Sequence, residues 1–163
     1  DYKFDMEMVC DIASSSISSI VNGFDPNMHL RDESGLTISV KQLPFFQDIL
    51  FIILGNVAKW SNLLSPRVDL TIRYDPEASL LRVHSVNDVL LERPLEELKE
   101  RVKALHQKLK SPEFIELARK DDSSGLAKLA SITFQSEHGT MDFGFDSDQR
   151  FFVETAISIQ VDR

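Results

Sequence analysis

The sequence predicts an α+β domain, a two-layer α/β sandwich with a mixed, mostly antiparallel sheet and helices on one face. Three observations predict it. Strand-like alternation comes in adjacent pairs, which implies antiparallel neighbours. One long helix is apolar around most of its circumference and must be buried on more than one side. Amphipathic helical segments stand between the strand pairs, where they can cover a sheet face. The whole chain, 1–163, reads as a single domain with an N-terminal helix over 2–22 and a core over 28–160.

Residues 2–22 carry an imperfect apolar stripe, Tyr2, Phe4, Met6, Val9, Ile12, Ile17 and Ile20, weakened by the serines between 14 and 19. Residues 28–42 read as a hairpin turning at Glu33-Ser34-Gly35, with Leu36, Ile38 and Val40 alternating with polar residues. Pro44 opens the next helix, 44–63, at a position where a missing N–H costs little. Phe45, Phe46, Ile49, Leu50, Ile53 and Leu54 make it the most apolar element, and Asn56, Lys59 and Ser61 are polar residues inside it that require partners or a task. Strands follow at 67–75 and 79–86 around the reversal Asp75-Pro76-Glu77-Ala78. A charged helix over 94–110 has Glu96 and Glu97 in its first turn and Lys108 and Lys110 at its end, the order the helix dipole favours. A short helix at 112–119, a loop at 121–124, a helix at 125–136 and two strands near 140–146 and 150–161 complete the chain.

The 163 residues carry a net charge of −8, which argues against binding nucleic acid or an anionic membrane through the overall field. No run reaches the roughly 18 uninterrupted apolar residues of a membrane helix. No secretory leader is visible, so the cytoplasm is the expected compartment. The lone cysteine, Cys10, excludes an internal disulfide and reads as a small buried thiol. The four histidines lie on different elements, and no spacing suggests a metal cage. A Walker-type phosphate loop, a dinucleotide glycine turn and a nucleophile elbow are all absent. With six widely spaced glycines, there is little scope for cradling phosphate by backbone amides.

Residues 46–61 resemble the N-box helix of the histidine-kinase-like (Bergerat, or GHKL) ATPases, in which an asparagine is followed by a basic residue, an aromatic and a small hydroxyl. Asn56, Lys59, Trp60 and Ser61 stand in those places. The resemblance implies ATP with Mg²⁺, Asn56 holding the metal against the phosphates and Lys59 facing phosphate. In the family's Asp-x-Gly turn, whose carboxylate accepts the adenine amino group, this chain has Ser85 and Asn87. Asn87 replaces a glycine and tolerates positive φ, and Asp88 compensates for the lost carboxylate only if the turn is shifted. Ser123-Ser124-Gly125-Leu126 resembles a remnant of the glycine-rich lid, with the amides of Ser124, Gly125 and Leu126 at a helix N-terminus that favours anions.

Two functions of different class follow from the resemblance. The compact anti-sigma-factor serine kinases and SiaB-type kinases imply a signalling regulator that phosphorylates Ser or Thr on a small STAS-type partner. The alternative is a pseudokinase, a protein-binding module that keeps the fold without the chemistry. In either case the 2–22 helix is a candidate for homodimerisation or partner binding.

Overall fold

The computed structural model describes residues 2–120 and 125–161. Asp5 starts the first helix later than the apolar stripe suggests. Its carboxylate accepts the Met8 N–H at 2.8 Å, so helix α1 spans Met6–Ile20 and the preceding Lys3–Phe4 is a short strand, β1. Met6, Val9, Cys10, Ala13 and Ile17 form the buried stripe of α1, while Met8, Ile12 and Ile20 face outward. Cys10 is a buried thiol, as expected. Burial chiefly, then the charges of Asp11 and Asp32, push its pKa up to about 12, so it is a poor nucleophile.

The expected hairpin over 28–42 does not form. Strand β2 (Asn27–Glu33) pairs in parallel with β4 (Arg67–Asp75), and β3 (Ile38–Ser39) pairs antiparallel with β1. The chain does turn where expected. Asp32 accepts the backbone N–H of Ser34 at 2.9 Å and its hydroxyl at 2.6 Å, and Gly35 takes φ 64. The turn leads off the sheet, however, because helix α2 (Leu43–Trp60) has to lie on the sheet before the chain can return. A crossover through a helix returns it parallel, so this one pair departs from the antiparallel expectation.

The remaining elements fall close to their predicted bounds. They are β5 (Leu80–Asn87), α3 (Leu95–Lys108), α4 (Pro112–Lys120), α5 (Gly125–Gln135), β6 (Thr140–Phe145) and β7 (Phe151–Ser158). The main sheet has the order β2-β4-β5-β7-β6, antiparallel except for β2 against β4. Its period-two alternation buries Val68, Leu70, Ile72, Leu81, Val83, Val153 and Ile157 on the face covered by helices. The other face carries His29, Glu33, Asp69, Arg73, Arg82 and His84, with Glu33 paired to Arg31 and Arg73.

Helix α2 is the centre of the helical layer, packed between α1 and α5. At 18 residues it is long and apolar enough to cross a membrane, yet here it is the core helix, with Phe46, Ile49, Leu50, Ile53, Leu54 and Val57 buried. Helix α5 is fastened to β7 by a fully buried pair of hydroxyls, Thr133 and Thr155, at 2.6 Å, with Thr133 also donating to the Leu129 carbonyl. No residue of α3 is buried. It docks on β6 through the half-buried Val102 and Leu105 and through His106, whose ring stacks on Phe143 at 3.9 Å and whose Nε2 lies 2.8 Å from the Phe143 carbonyl oxygen.

Ile49, 1% exposed in the middle of α2, touches the deepest part of this core. Ile49→Ala is expected to destabilise the domain by about 3 kcal/mol. The effect should appear in urea denaturation as a lower midpoint with an unchanged slope.

Candidate functional site

The sheet ends in a row of side chains where β5, β7 and β6 meet. Asn87 pairs with Phe151, and Phe151 with Phe145, so one polar and two aromatic residues stand side by side. Phe145 meets Phe151 edge-on at 5.3 Å. Helix α2 passes this end with Asn56, Val57, Trp60 and Ser61 toward it, and the first turn of α5 closes in beside Asn56. A Cβ on Gly125 would lie 3.7 Å from Asn56 Cβ, an ordinary contact. On the far side stand Leu98, Arg101, Val102 and Leu105, one face of α3 at helical spacing. Together these segments enclose a cavity of about 530 Å³, within the size range of small-molecule sites.

The turn after α2 and the segment after β5 are sewn together to make the remaining wall. Asn62, at φ 58, donates through Nδ2 to the Leu90 carbonyl at 3.0 Å, and the Leu90 N–H donates to the Ser61 carbonyl at 2.8 Å. Trp60 lines the mouth while 60% exposed.

Of the residues singled out in the sequence, Asn56, Trp60, Ser61, Asn87, Gly125 and Leu126 line this one cavity. They come from three separate segments, α2 with its C-cap, β5 and α5. Ser124 lies outside the described residues. Lys59 does not line the cavity: its Nζ lies 5.1 Å from the centroid of the neighbouring Trp60 ring. Ser85 is two residues before Asn87 on the same inward face. It is buried, and its hydroxyl has no hydrogen-bond partner among the described residues. Asn87 ends β5 in strand geometry and does not use the positive φ that its place invited. Its side chain donates to the Asp88 carbonyl at 2.9 Å.

Asp88 does not take the place of the missing carboxylate, because it belongs to a structural cluster. Arg150, in the turn just before β7, donates through Nε to Asp88 at 3.0 Å and reaches Asp69 through Nη2 at 2.8 Å. Arg67 closes the other side of Asp69 at 3.0 Å. This cluster ties β4, the exit of β5 and the β6–β7 turn together directly behind Asn87. Sequence reading missed Arg150, because its role exists only once three strands are paired. It also missed the aromatic wall. The Phe-rich closing strands were visible, but the face they turn to the cavity depends on register. Among the described residues no group of three or more His, Cys, Asp or Glu side chains is placed to hold a metal ion.

A five-stranded sheet with a parallel edge pair, a helical layer on one face and a cavity between α2, α5 and the strand ends define a histidine-kinase-like ATPase fold. Solved structures bear this out. The catalytic domain of histidine kinase ThkA superposes with a TM-score of 0.60 at 12% identity, covering 96% of this chain and 94% of that one. The mycobacterial sensor histidine kinase MprB gives 0.60 at 11% identity, covering 99% and 100%. The histidine kinase domain of the E. coli osmosensor EnvZ gives 0.55 at 16% identity, covering 99% and 90%. No curated protein sequence matches the chain. Residues 5–159 match the family described as "y4jQ C-terminal putative histidine kinase domain", and the chain belongs to that family. It is a kinase-like signalling domain related to histidine kinase catalytic domains.

Removing Arg150 tests the cluster behind the site. Burial raises the pKa of Asp69, but hydrogen bonds from Arg150 and then Arg67, with their charges, outweigh it and hold it below its ordinary 3.8. A carboxylate whose pKa is lowered on folding contributes stability above its ordinary pKa, and that contribution is lost as pH falls through the folded value. Arg150→Ala is therefore expected to destabilise by about 1–2 kcal/mol at neutral pH. The gap to the parent protein should shrink below about pH 4, measured by thermal denaturation across pH.

Proposed function

We propose that this chain is a nucleotide-dependent signalling regulator that binds ATP with Mg²⁺ in the cavity between α2, α3, α5 and the strand ends. The observation that carries the proposal is the convergence of Asn56, Asn87, Gly125 and Leu126, distant in sequence, on one cavity of about 530 Å³. The donor set fits such a ligand. Phe143, Phe145 and Phe151 offer an aromatic wall to a flat ring. Asn56 presents an amide to the region where α5 begins, and a helix start favours phosphate. Ser85, buried beneath Asn87 and without a hydrogen-bond partner among the described residues, does not line the cavity, so Asn87 is the polar group that β5 offers to a base. Magnesium keeps several waters and takes ligands from substrate phosphates, so few protein ligands are required, and Asn56 Oδ1 would be the one supplied by α2. The metal, when bound, supplies charge neutralisation to the phosphates. Where phosphate is transferred, the acceptor we propose is a Ser or Thr hydroxyl of a small STAS-type protein in the cytoplasm.

A second proposal, a catalytically silent protein-binding module, is favoured by a specific observation. The carboxylate that should read adenine is a serine, and the adjacent Asp88 is engaged by Arg150. Trp60 and Leu90, both more than half exposed at the cavity mouth, would then belong to a partner surface.

Calorimetric titration of Mg-ATP into the protein and into Asn56→Ala separates the two. Binding that requires Mg²⁺ and weakens roughly tenfold or more in the variant is expected. No heat at millimolar ATP, with circular dichroism showing a folded protein, would overturn the nucleotide reading and leave the binding module.

A further inference from the structure

The cavity wall changes character along α3. At its C-terminal half it is apolar: Val102 Cγ1 lies 3.9 Å from where a Cβ on Gly144 would stand, and Leu105 continues the same face beside the Phe143 wall. Toward the start of α3 it becomes charged, with two arginines against one carboxylate, Glu92. Arg101, one turn before Leu105, and Arg93, just ahead of the helix, both line the cavity. The two guanidinium groups converge on one atom. Arg93 Nη1 lies 2.8 Å and Arg101 Nη2 3.5 Å from the same oxygen, Oε1 of Glu97, which itself stands outside the cavity wall.

This arrangement suits a ligand with a flat apolar end and an anionic end. Building on the nucleotide reading above, we propose that Arg93 and Arg101 form an anion subsite of the cavity, across from Asn56 and the start of α5, and take the far end of the polyphosphate. Glu97 is then an internal competitor that holds both arginines until the polyphosphate displaces it. The displacement is physically easy. The Arg93 and Arg101 side chains are 54% and 58% exposed and Glu97 is 45% exposed, so these are surface ion pairs that water screens and that contribute little. One carboxylate oxygen shared between two guanidinium groups satisfies few of their donors. A polyphosphate offers each of them several charged oxygens in the geometry their planar fork prefers. The subsite also supplies what the sequence lacks, since few glycine amides are available to cradle phosphate and Lys59 does not line the cavity.

The test measures dissociation constants of ATP, adenosine and inorganic tripolyphosphate, with Mg²⁺ present, for three proteins. These are the full chain, the double variant Arg93→Ala/Arg101→Ala, and Glu97→Ala. The double variant is expected to weaken ATP and tripolyphosphate roughly tenfold while adenosine is unchanged. Glu97→Ala is expected to tighten ATP about two- to fivefold with adenosine again unchanged, a gain that misfolding cannot produce. ATP binding that is indifferent to the arginine changes, or ATP and adenosine weakened equally, overturns the subsite while the nucleotide reading stands. A loss in the double variant without a gain in Glu97→Ala removes the competitor role. A parent protein that binds neither ATP nor adenosine ends the nucleotide reading and the subsite together.

Discussion

The burial of α2 is the constraint on which the rest of the fold depends. A helix with apolar residues on most of its circumference has no solvent-facing solution, so it must be enclosed by neighbours on several sides. Helices α1 and α5 flank it, and the inward residues of β4, β5 and β7 complete the same core cluster. Placing α2 on the sheet between two strands forces the crossover that makes β2 and β4 parallel. It also fixes where Asn56 goes. The residue sits one turn beyond Ile52 and beside Ile53, Leu54 and Val57, so wherever that apolar set is anchored, the amide is delivered to the end of the sheet at the start of α5.

Local elements were legible because period and turn chemistry act over a few residues. The alternation of Val68, Leu70 and Ile72 and the Asp75 turn gave β4 and β5 close to their observed bounds, and the aspartate caps that turn by accepting from Glu77 and Ala78. The failure at 28–42 has the opposite cause. Alternation identifies a strand but does not name its partner, and the parallel partner of β2 lies beyond an entire helix. The start of α1 was misplaced for a smaller reason. Tyr2 and Phe4 continue the apolar stripe, but the Asp5 carboxylate accepts the Met8 N–H as an N-cap and starts the helix at Met6.

The site was legible where one side chain on one element decides its role, and opaque where roles arise from assembly. Asn56, Asn87, Gly125 and Leu126 could be picked singly and are found together. Arg150 reads in sequence as an ordinary charge at a turn. It becomes structural only when Asp69 and Asp88, from β4 and the end of β5, are brought within reach. Arg93 and Arg101 look like solvated charges at and before a helix, since each has Glu97 four residues away, and only the packing of α3 over the cavity gives them a second environment.

The electrostatics of the domain sharpen that last point. A net charge of −8 repels a polyanionic ligand at long range. Physiological salt limits such a field to about 8 Å, so the charges that decide binding are those at the cavity itself. There Ser85 is uncharged and Asp88 is engaged by Arg150, so that end of the sheet holds less negative charge than an aspartate at position 85 would bring. On the nucleotide reading proposed above, binding strength would rest on the apolar and aromatic wall at one end and on Arg93 and Arg101 at the other. Exposed arginines hold phosphate less rigidly than buried amides, because each side chain must be ordered when the ligand arrives. A site built this way trades fixed geometry for charge, which suits a regulator whose occupancy follows nucleotide level more than an enzyme that must hold its ligand in one reactive pose.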